Sequence, residues 1–267
     1  MTALAYIAPE PREEIAERLD AIEREHDVRL LLAVESGSRA WGFPSPDSDY
    51  DVRFVYVHRP EWYLSIEAGR DVIELPIEDE LDINGWDLRK ALNLLVKPNP
   101  VLLEWLRSPI VYRADGEAMV RLLDLAEKTA HQRPSAYHYL HLARNQYRRF
   151  IEGQDRVKLK KYFYALRPAL ALMWLRHHPE KPLPMNFGEL RGGLDLPAGL
   201  SAFLDEMLAR KALTRELGEG PRLVMLDSLI EGEVARAEQA LPEATQPSTD
   251  LRSEADALFR ELVMERA

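Results

Sequence analysis

The sequence predicts an α+β chain, with a sheet in its first part and helices alone afterwards. Two observations point there. Short β-rich runs bounded by Gly, Pro and Ser crowd into residues 28–85, and beyond about Tyr112 apolar residues recur at helical spacing almost without interruption. A third is size: 267 residues suit one large or two modest domains. The change of pattern puts the expected boundary between a sheet-bearing domain over 1–112 and a helical domain over 113–267.

Each element has its own signal. Ile15, Leu19 and Ile22 mark an amphipathic helix over about 11–25. The apolar run 28–34 reads as a buried strand. Residues 35–48, dense in Gly, Pro and Ser, have room for only a short helical turn and a loop. Residues 50–57 and 71–77 are β-rich, and 81–85 alternates as a further strand before a helix over 86–96 that Pro98 and Pro100 stop. Helices follow over 117–128, 135–152, 159–176, 198–210 and 227–240. A polar linker at 242–249 then leads to a last amphipathic helix over 251–265.

Composition excludes several function classes. With 46% hydrophobic and 30% charged residues the chain is neither disordered nor a disulfide-stapled miniprotein. Having no cysteine, it has no disulfide, iron–sulfur cluster, cysteine-ligated zinc or thiol nucleophile. No apolar run approaches the roughly 18 residues of a membrane span, and the opening residues lack the basic flank of a signal peptide. A cytoplasmic protein without membrane partners is expected. Walker A, dinucleotide-binding and His-Glu-x-x-His patterns are all missing.

The net charge of −10 opposes bulk attraction to nucleic acid, but one segment runs the other way. Residues 144–167 carry eight cations against two anions, a local +6 that leaves −16 for the rest. A polyanionic ligand is expected there, and Tyr147, Tyr162 and Tyr164 interleave with the cations as stacking sites do.

The chemistry concentrates in Gly37-Ser38, a step of eleven residues to Asp49, and Asp49-Tyr50-Asp51 opening a strand. Side chains two apart on a strand share a face, so Asp49 and Asp51 stand together with Tyr50 turned away. Adjacent carboxylates repel, and the usual compensation is a hard divalent cation such as Mg²⁺ or Mn²⁺. Arg53 continues that face, placed to neutralise the acids or touch a phosphate. Gly37 allows close backbone approach, and the amides after it form an anion-binding corner with the Ser38 hydroxyl. Two-metal phosphoryl chemistry needs another carboxylate. Asp82 is the candidate, brought to the pair by a neighbouring antiparallel strand, while Asp87 suits the first turn of the next helix. Glu35 is placed to add a carboxylate to the site, but it is expected instead to end its strand by bonding nearby amides.

Gly37-Ser38-Arg39-Ala40-Trp41-Gly42-Phe43 followed by Ser48-Asp49-Tyr50-Asp51-Val52 resembles the signature of the DNA polymerase beta-type nucleotidyltransferases. Within that superfamily the wording is similar to the RNA repair pathway DNA polymerase beta family, as are 81–92 and 160–168. The resemblance implies a mixed sheet with a following helical domain, and transfer of a nucleoside monophosphate from a nucleoside triphosphate to a hydroxyl, pyrophosphate leaving. It implies Asp49, Asp51 and Asp82 as catalytic ligands of two Mg²⁺ or Mn²⁺ ions. Gly37, Ser38, Arg39 and Arg53 are then expected on the nucleotide, with Lys160, Lys161, Tyr164 and Arg167 from the helical part. An RNA end is the expected acceptor. Protein adenylylation of the antitoxin type, transfer to a small molecule and a non-catalytic nucleotide-binding module are the alternatives.

Overall fold

The computed structural model describes residues 7–78, 80–215, 217–243 and 250–265. They form two compact units. The first takes in the described residues of 7–40, 49–130 and 250–265, and the second those of 41–48 and 131–243. By contacts the division therefore falls after residue 130 and not after 112. The strand that carries Tyr112 and the helix after it belong to the sheet unit, and so does the last helix of the chain.

The first unit opens with α1 (Pro9–His26), which has proline in its first turn and closes on Asp27 in the left-handed region. The strands β1 (Val28–Ser36), β2 (Tyr50–His58), β3 (Val72–Glu74), β4 (Leu81–Asp87) and β5 (Val111–Ala114) make one sheet in the order β3-β4-β2-β1-β5. Short helical turns α2 (Gly37–Ala40) and α3 (Pro60–Tyr63) follow β1 and β2. α4 (Leu88–Val96), α5 (Pro100–Leu106) and α6 (Gly116–Glu127) complete this part. All pairings are antiparallel except β2 with β4, so the sheet is mixed. Ile15, Leu19 and Ile22 of α1 cover one face with Val52, Phe54 and Ile83. Val34, Val55 and Val57 of the other face pack with α4, α5 and α6. Strands buried on both faces explain why β1 and β2 read as near-continuous apolar runs.

In the second unit α7 (Gln132–Phe150) and α8 (Lys160–His177) form the core hairpin, with α9 (Phe187–Gly192), α10 (Ala198–Leu213) and α11 (Val224–Gln239) around it. The strands β6 (Arg156–Lys158) and β7 (Glu219–Pro221) pair as a small ribbon. Residues 41–48 belong here because Phe43 is a core residue of this unit: its ring stacks on Phe163 at 5.3 Å and meets Phe187 edge-on at 5.8 Å. The buried Lys211 donates to the Phe43 carbonyl at 2.6 Å. The last helix, α12 (Leu251–Met264), belongs to the first unit, where Leu258 and Leu262 pack in the cluster that holds α4 and α6.

Four local expectations are corrected. β4 runs parallel to β2, because the connection of residues 59–80 carries α3 and β3 and is no hairpin return. β4 continues to Asp87, so α4 starts two residues after Trp86. Pro100 does not simply end a helix but begins α5, in whose first turn its missing N–H costs nothing, and Asn99 caps that turn by accepting from the Val101 amide at 2.9 Å. β3 is three residues long where seven were expected. The linker read at 242–249 lies mostly outside the described residues.

Asp87 caps α4. Fully buried, it accepts from the Arg89 amide at 2.8 Å and from the Tyr63 hydroxyl at 2.6 Å. Burial pushes its carboxyl above the usual range, opposed by those two hydrogen bonds. Asp87→Ala should lose about 2–3 kcal/mol of stability in urea unfolding, a cap plus an orphaned hydroxyl. Since the folded state holds the Asp87 proton more tightly than the unfolded state, this group's contribution falls as pH rises from the unfolded value through the folded one. Asp87→Asn should therefore gain on the wild type as pH goes from about 4 towards 7. A stability difference that does not change with pH would contradict the raised carboxyl.

Candidate active site

β1 ends at Ser36, and the chain turns at Gly37, where φ is +62°. Only glycine takes that conformation without strain, and a second constraint acts at the same atom. A Cβ on Gly37 would lie 2.0 Å from Oδ2 of Asp51, so the missing side chain is the space in which the Asp51 carboxylate rests. Ser36 and Asp51 are register partners across β1 and β2, which fixes this approach.

Across β2 and β4 the register pairs Asp51 with Asp82 and Arg53 with Asn84. The parallel pairing thus sets two carboxylates side by side with a guanidinium between them. Arg53 Nη2 donates to Asp82 Oδ2 at 2.7 Å and to Asp51 Oδ1 at 3.2 Å, and Nη1 donates to the carbonyls of Asp82 at 2.7 Å and Val52 at 3.0 Å. Asn84 reaches Asp82 Oδ1 at 3.4 Å. Asp51 and Asp82 are partly exposed and Asp49 is exposed, so the cluster opens to solvent. Burial pushes the Asp51 carboxyl up, Arg53 pulls it down, and the charges of Asp82 and Asp49 push it up again.

The Arg39 guanidinium carbon lies over the Tyr50 ring, 3.9 Å from its centre, and Nε donates to the Asp49 carbonyl at 3.2 Å. It braces the turn that delivers Asp49. Ser38 is buried within α2.

The sequence undervalues Glu35. It is fully buried, accepting from the Asp51 amide at 3.0 Å and from the Tyr112 hydroxyl of β5 at 2.5 Å. Burial pushes its carboxyl up to about 7, against the pull of those two bonds. A lone acid at the end of a seven-residue apolar run was the available signal; its partner amide sixteen residues away was not.

The helical-unit candidates lie at the start of α8. Lys160, Lys161 and Tyr164 are partly exposed, with the Lys161 ammonium 4.2 Å from the Phe150 ring centre and Tyr164 edge-on to Trp41 at 6.2 Å. Arg167 differs from the expectation. Only 2% exposed, it donates from Nε and Nη2 to the Met185 carbonyl at 3.2 and 3.0 Å and lies over Trp41 at 4.7 Å, so it anchors a loop and presents no charge to solvent. Tyr147 and Tyr162 are likewise core residues, their hydroxyls bonded to Glu231 and Asp227, which leaves Tyr164 as the partly exposed member of the three.

Asp49, Asp51 and Asp82 offer only oxygen donors, the kind a hard divalent cation takes, and the charges of Asp82 and Asp49 push the Asp51 carboxyl up. Among the described residues no three His, Cys, Asp or Glu side chains are already gathered around a metal position; Arg53 stands between Asp51 and Asp82 and supplies the compensating charge.

The model of the RNA repair pathway DNA polymerase beta family matches residues 12–261. The chain belongs to that family. Its Gly-Ser and Asp-x-Asp pattern is that of a nucleotidyltransferase of the polymerase beta type, and the match extends through both units. A relative from Bacillus subtilis (strain 168), the uncharacterized protein YcgL, is 45% identical over 254 residues, covering 95% of this chain and 97% of that one. Among solved structures, a nucleotidyltransferase-like protein from Exiguobacterium sibiricum 255-15 is similar at 13% identity and a TM-score of 0.27, covering 94% of this chain and 80% of that one. A likeness at that score carries no argument. No helix among the described residues is long and apolar enough to cross a membrane.

Gly37→Ala should leave the far-UV circular dichroism spectrum unchanged and lower any turnover that depends on Asp51 by about tenfold or more, because the new methyl displaces the carboxylate. Unchanged turnover would show that the Gly37–Asp51 approach is not needed.

Proposed function

We propose that the chain transfers a nucleoside monophosphate from a nucleoside triphosphate to the hydroxyl of an RNA end, releasing pyrophosphate. The observation that carries the reading is the register of Asp51 with Asp82 beside the glycine that receives the Asp51 carboxylate. Asp49, Asp51 and Asp82 would hold two Mg²⁺ or Mn²⁺ ions. Bound there, such ions supply Lewis-acid stabilisation of pyrophosphate and lower the pKa of the acceptor hydroxyl.

The remaining work falls to the protein. The turn amides at Gly37 and Ser38 bind triphosphate oxygens, and Gly37 leaves room beside them for the Asp51 carboxylate. Arg53 neutralises Asp51 and Asp82 and turns to phosphate when their charge is compensated otherwise. Arg39 orients the Asp49 backbone, with its positive charge next to the phosphate corner. Holding both reactants in line accounts for much of the acceleration in phosphoryl transfer, which is mostly positioning and electrostatics.

We assign the sheet unit to catalysis and the helical unit to substrate binding. Lys160 and Lys161 meet phosphate and Tyr164 stacks on a base, supported by their partial exposure at the start of one helix. Net positive charge over residues 144–167 in an acidic chain favours an RNA acceptor. A chain without cysteine suits the reducing cytoplasm, where we place it.

The test is incubation with Mg²⁺ and each α-labelled ribonucleoside triphosphate, with and without small RNAs, beside the Asp49→Asn, Asp51→Asn double variant. Label should enter RNA with the wild type only, and the four nucleotides should differ. Withdrawing the metal with EDTA should abolish the signal. Label on a protein instead of RNA would replace the acceptor, and a double variant as active as the wild type would overturn the site.

A further inference from the structure

Glu35 takes no part in the chemistry above, yet it is tied to it. It sits at the end of β1 with no solvent exposure, and each carboxylate oxygen has one partner: Oε1 accepts from the Asp51 amide at 3.0 Å and Oε2 from the Tyr112 hydroxyl at 2.5 Å. Its backbone is held as well. The amide of Glu35 donates to the Ile110 carbonyl at 3.0 Å, and its carbonyl accepts from the buried Ser108 hydroxyl at 2.6 Å. Residues 108–112 thus grip Glu35 at three atoms, and Glu35 passes that grip to one atom of β2, the amide nitrogen of Asp51.

A buried carboxylate is costly unless its oxygens are satisfied, and an apolar side chain would fill this position on the buried strand β1 more cheaply. Here the geometry supplies a function for the cost. The Asp51 side chain is trapped between Gly37 on one side and Arg53 on the other, so a small shift of its backbone moves the carboxylate into the Gly37 backbone or away from Asp82. An oxygen acceptor at this place, carboxylate or amide, satisfies the Asp51 N–H, and an apolar side chain leaves it without a partner.

We propose that Glu35, braced by Tyr112, is a positioning residue for nucleotidyl transfer: it fixes the Asp51 backbone so that the Asp51 carboxylate faces Asp82 at the metal-binding edge. Glu35 touches neither nucleotide nor acceptor and acts only through Asp51. The proposal rests on the transfer reading given above.

Three variants separate positioning from mere packing. Glu35→Gln keeps the shape and an acceptor for the Asp51 amide, Glu35→Met keeps the length and removes the acceptor, and Tyr112→Phe removes the brace alone. In steady-state transfer Glu35→Met should lower kcat about 30-fold while KM for the triphosphate stays within about threefold, Tyr112→Phe should lower kcat about threefold to tenfold, and Glu35→Gln should stay within about threefold of wild type. Titration of Mn²⁺ into the metal-free proteins should show the same order in affinity.

A folded Glu35→Met variant with wild-type kcat and Mn²⁺ affinity overturns the proposal, and so does Glu35→Gln as impaired as Glu35→Met. Should Glu35→Met fail to fold, Tyr112→Phe decides, and wild-type kcat there overturns it. A wild type that binds Mn²⁺ but transfers to no acceptor defeats the transfer reading alone. The Mn²⁺ affinities then judge Glu35 by themselves, a lower value in Tyr112→Phe supporting the positioning role and an unchanged one overturning it. A wild type that binds no Mn²⁺ overturns both.

Discussion

Two carboxylates held side by side by a parallel β-register are the constraint to which the rest of this site responds. Like charges about 5 Å apart near a protein surface repel by roughly 3 kcal/mol, and β2 and β4 offer Asp51 and Asp82 no other place. Arg53, two residues along the same strand, answers with one nitrogen shared by both acids and another on two carbonyls. A polar knot of this kind gives little net stability, because desolvation offsets most of the Coulomb gain. Its consequence is that Asp51 and Asp82 stay paired through Arg53 at a solvent-facing edge of the sheet.

The surroundings of the knot explain several sequence choices that otherwise look unrelated. Gly37 is required twice at one atom, by its φ and by the Asp51 carboxylate that fills its side-chain space. Glu35 and Tyr112 use the neighbouring strands of the same sheet to hold the Asp51 amide. Residues 41–48, between Ala40 and Asp49 in sequence, pack in the core of the helical unit through Phe43, with Lys211 and Arg167 spent on that packing. The stretch between Gly37 and Asp49 therefore passes through the helical unit's core at Phe43, while Val52, just beyond it, lies in a core of the sheet unit.

Much of this was legible in the sequence, for identifiable reasons. Composition and period alone place α1, β1, β2 and the long helices, because each buries a stripe or a continuous apolar run. Asp49 and Asp51 stand out because a turn followed by a strand fixes which residues share a face. The direction of β4 was not legible, since strand pairing depends on how the residue 59–80 connection folds and alternation is the same either way. α8 is apolar nearly all round, so helical spacing groups Arg167 with Lys160 and Tyr164 without showing that Arg167, two turns into the helix, is buried. The partners of Glu35 lie sixteen and seventy-seven residues away, beyond any local pattern.

We propose the Asp49, Asp51 and Asp82 cluster as a divalent-cation site, with Arg53 balancing the charge of Asp51 and Asp82 until a cation and a triphosphate arrive. Isothermal titration of Mn²⁺ into the metal-free protein, alone and with a non-hydrolysable triphosphate, reads it most directly. Weak binding alone, markedly tighter binding with the triphosphate, and loss of both in Asp51→Asn are the predicted result. Mn²⁺ affinity that is indifferent to the triphosphate and unchanged in Asp51→Asn would contradict it.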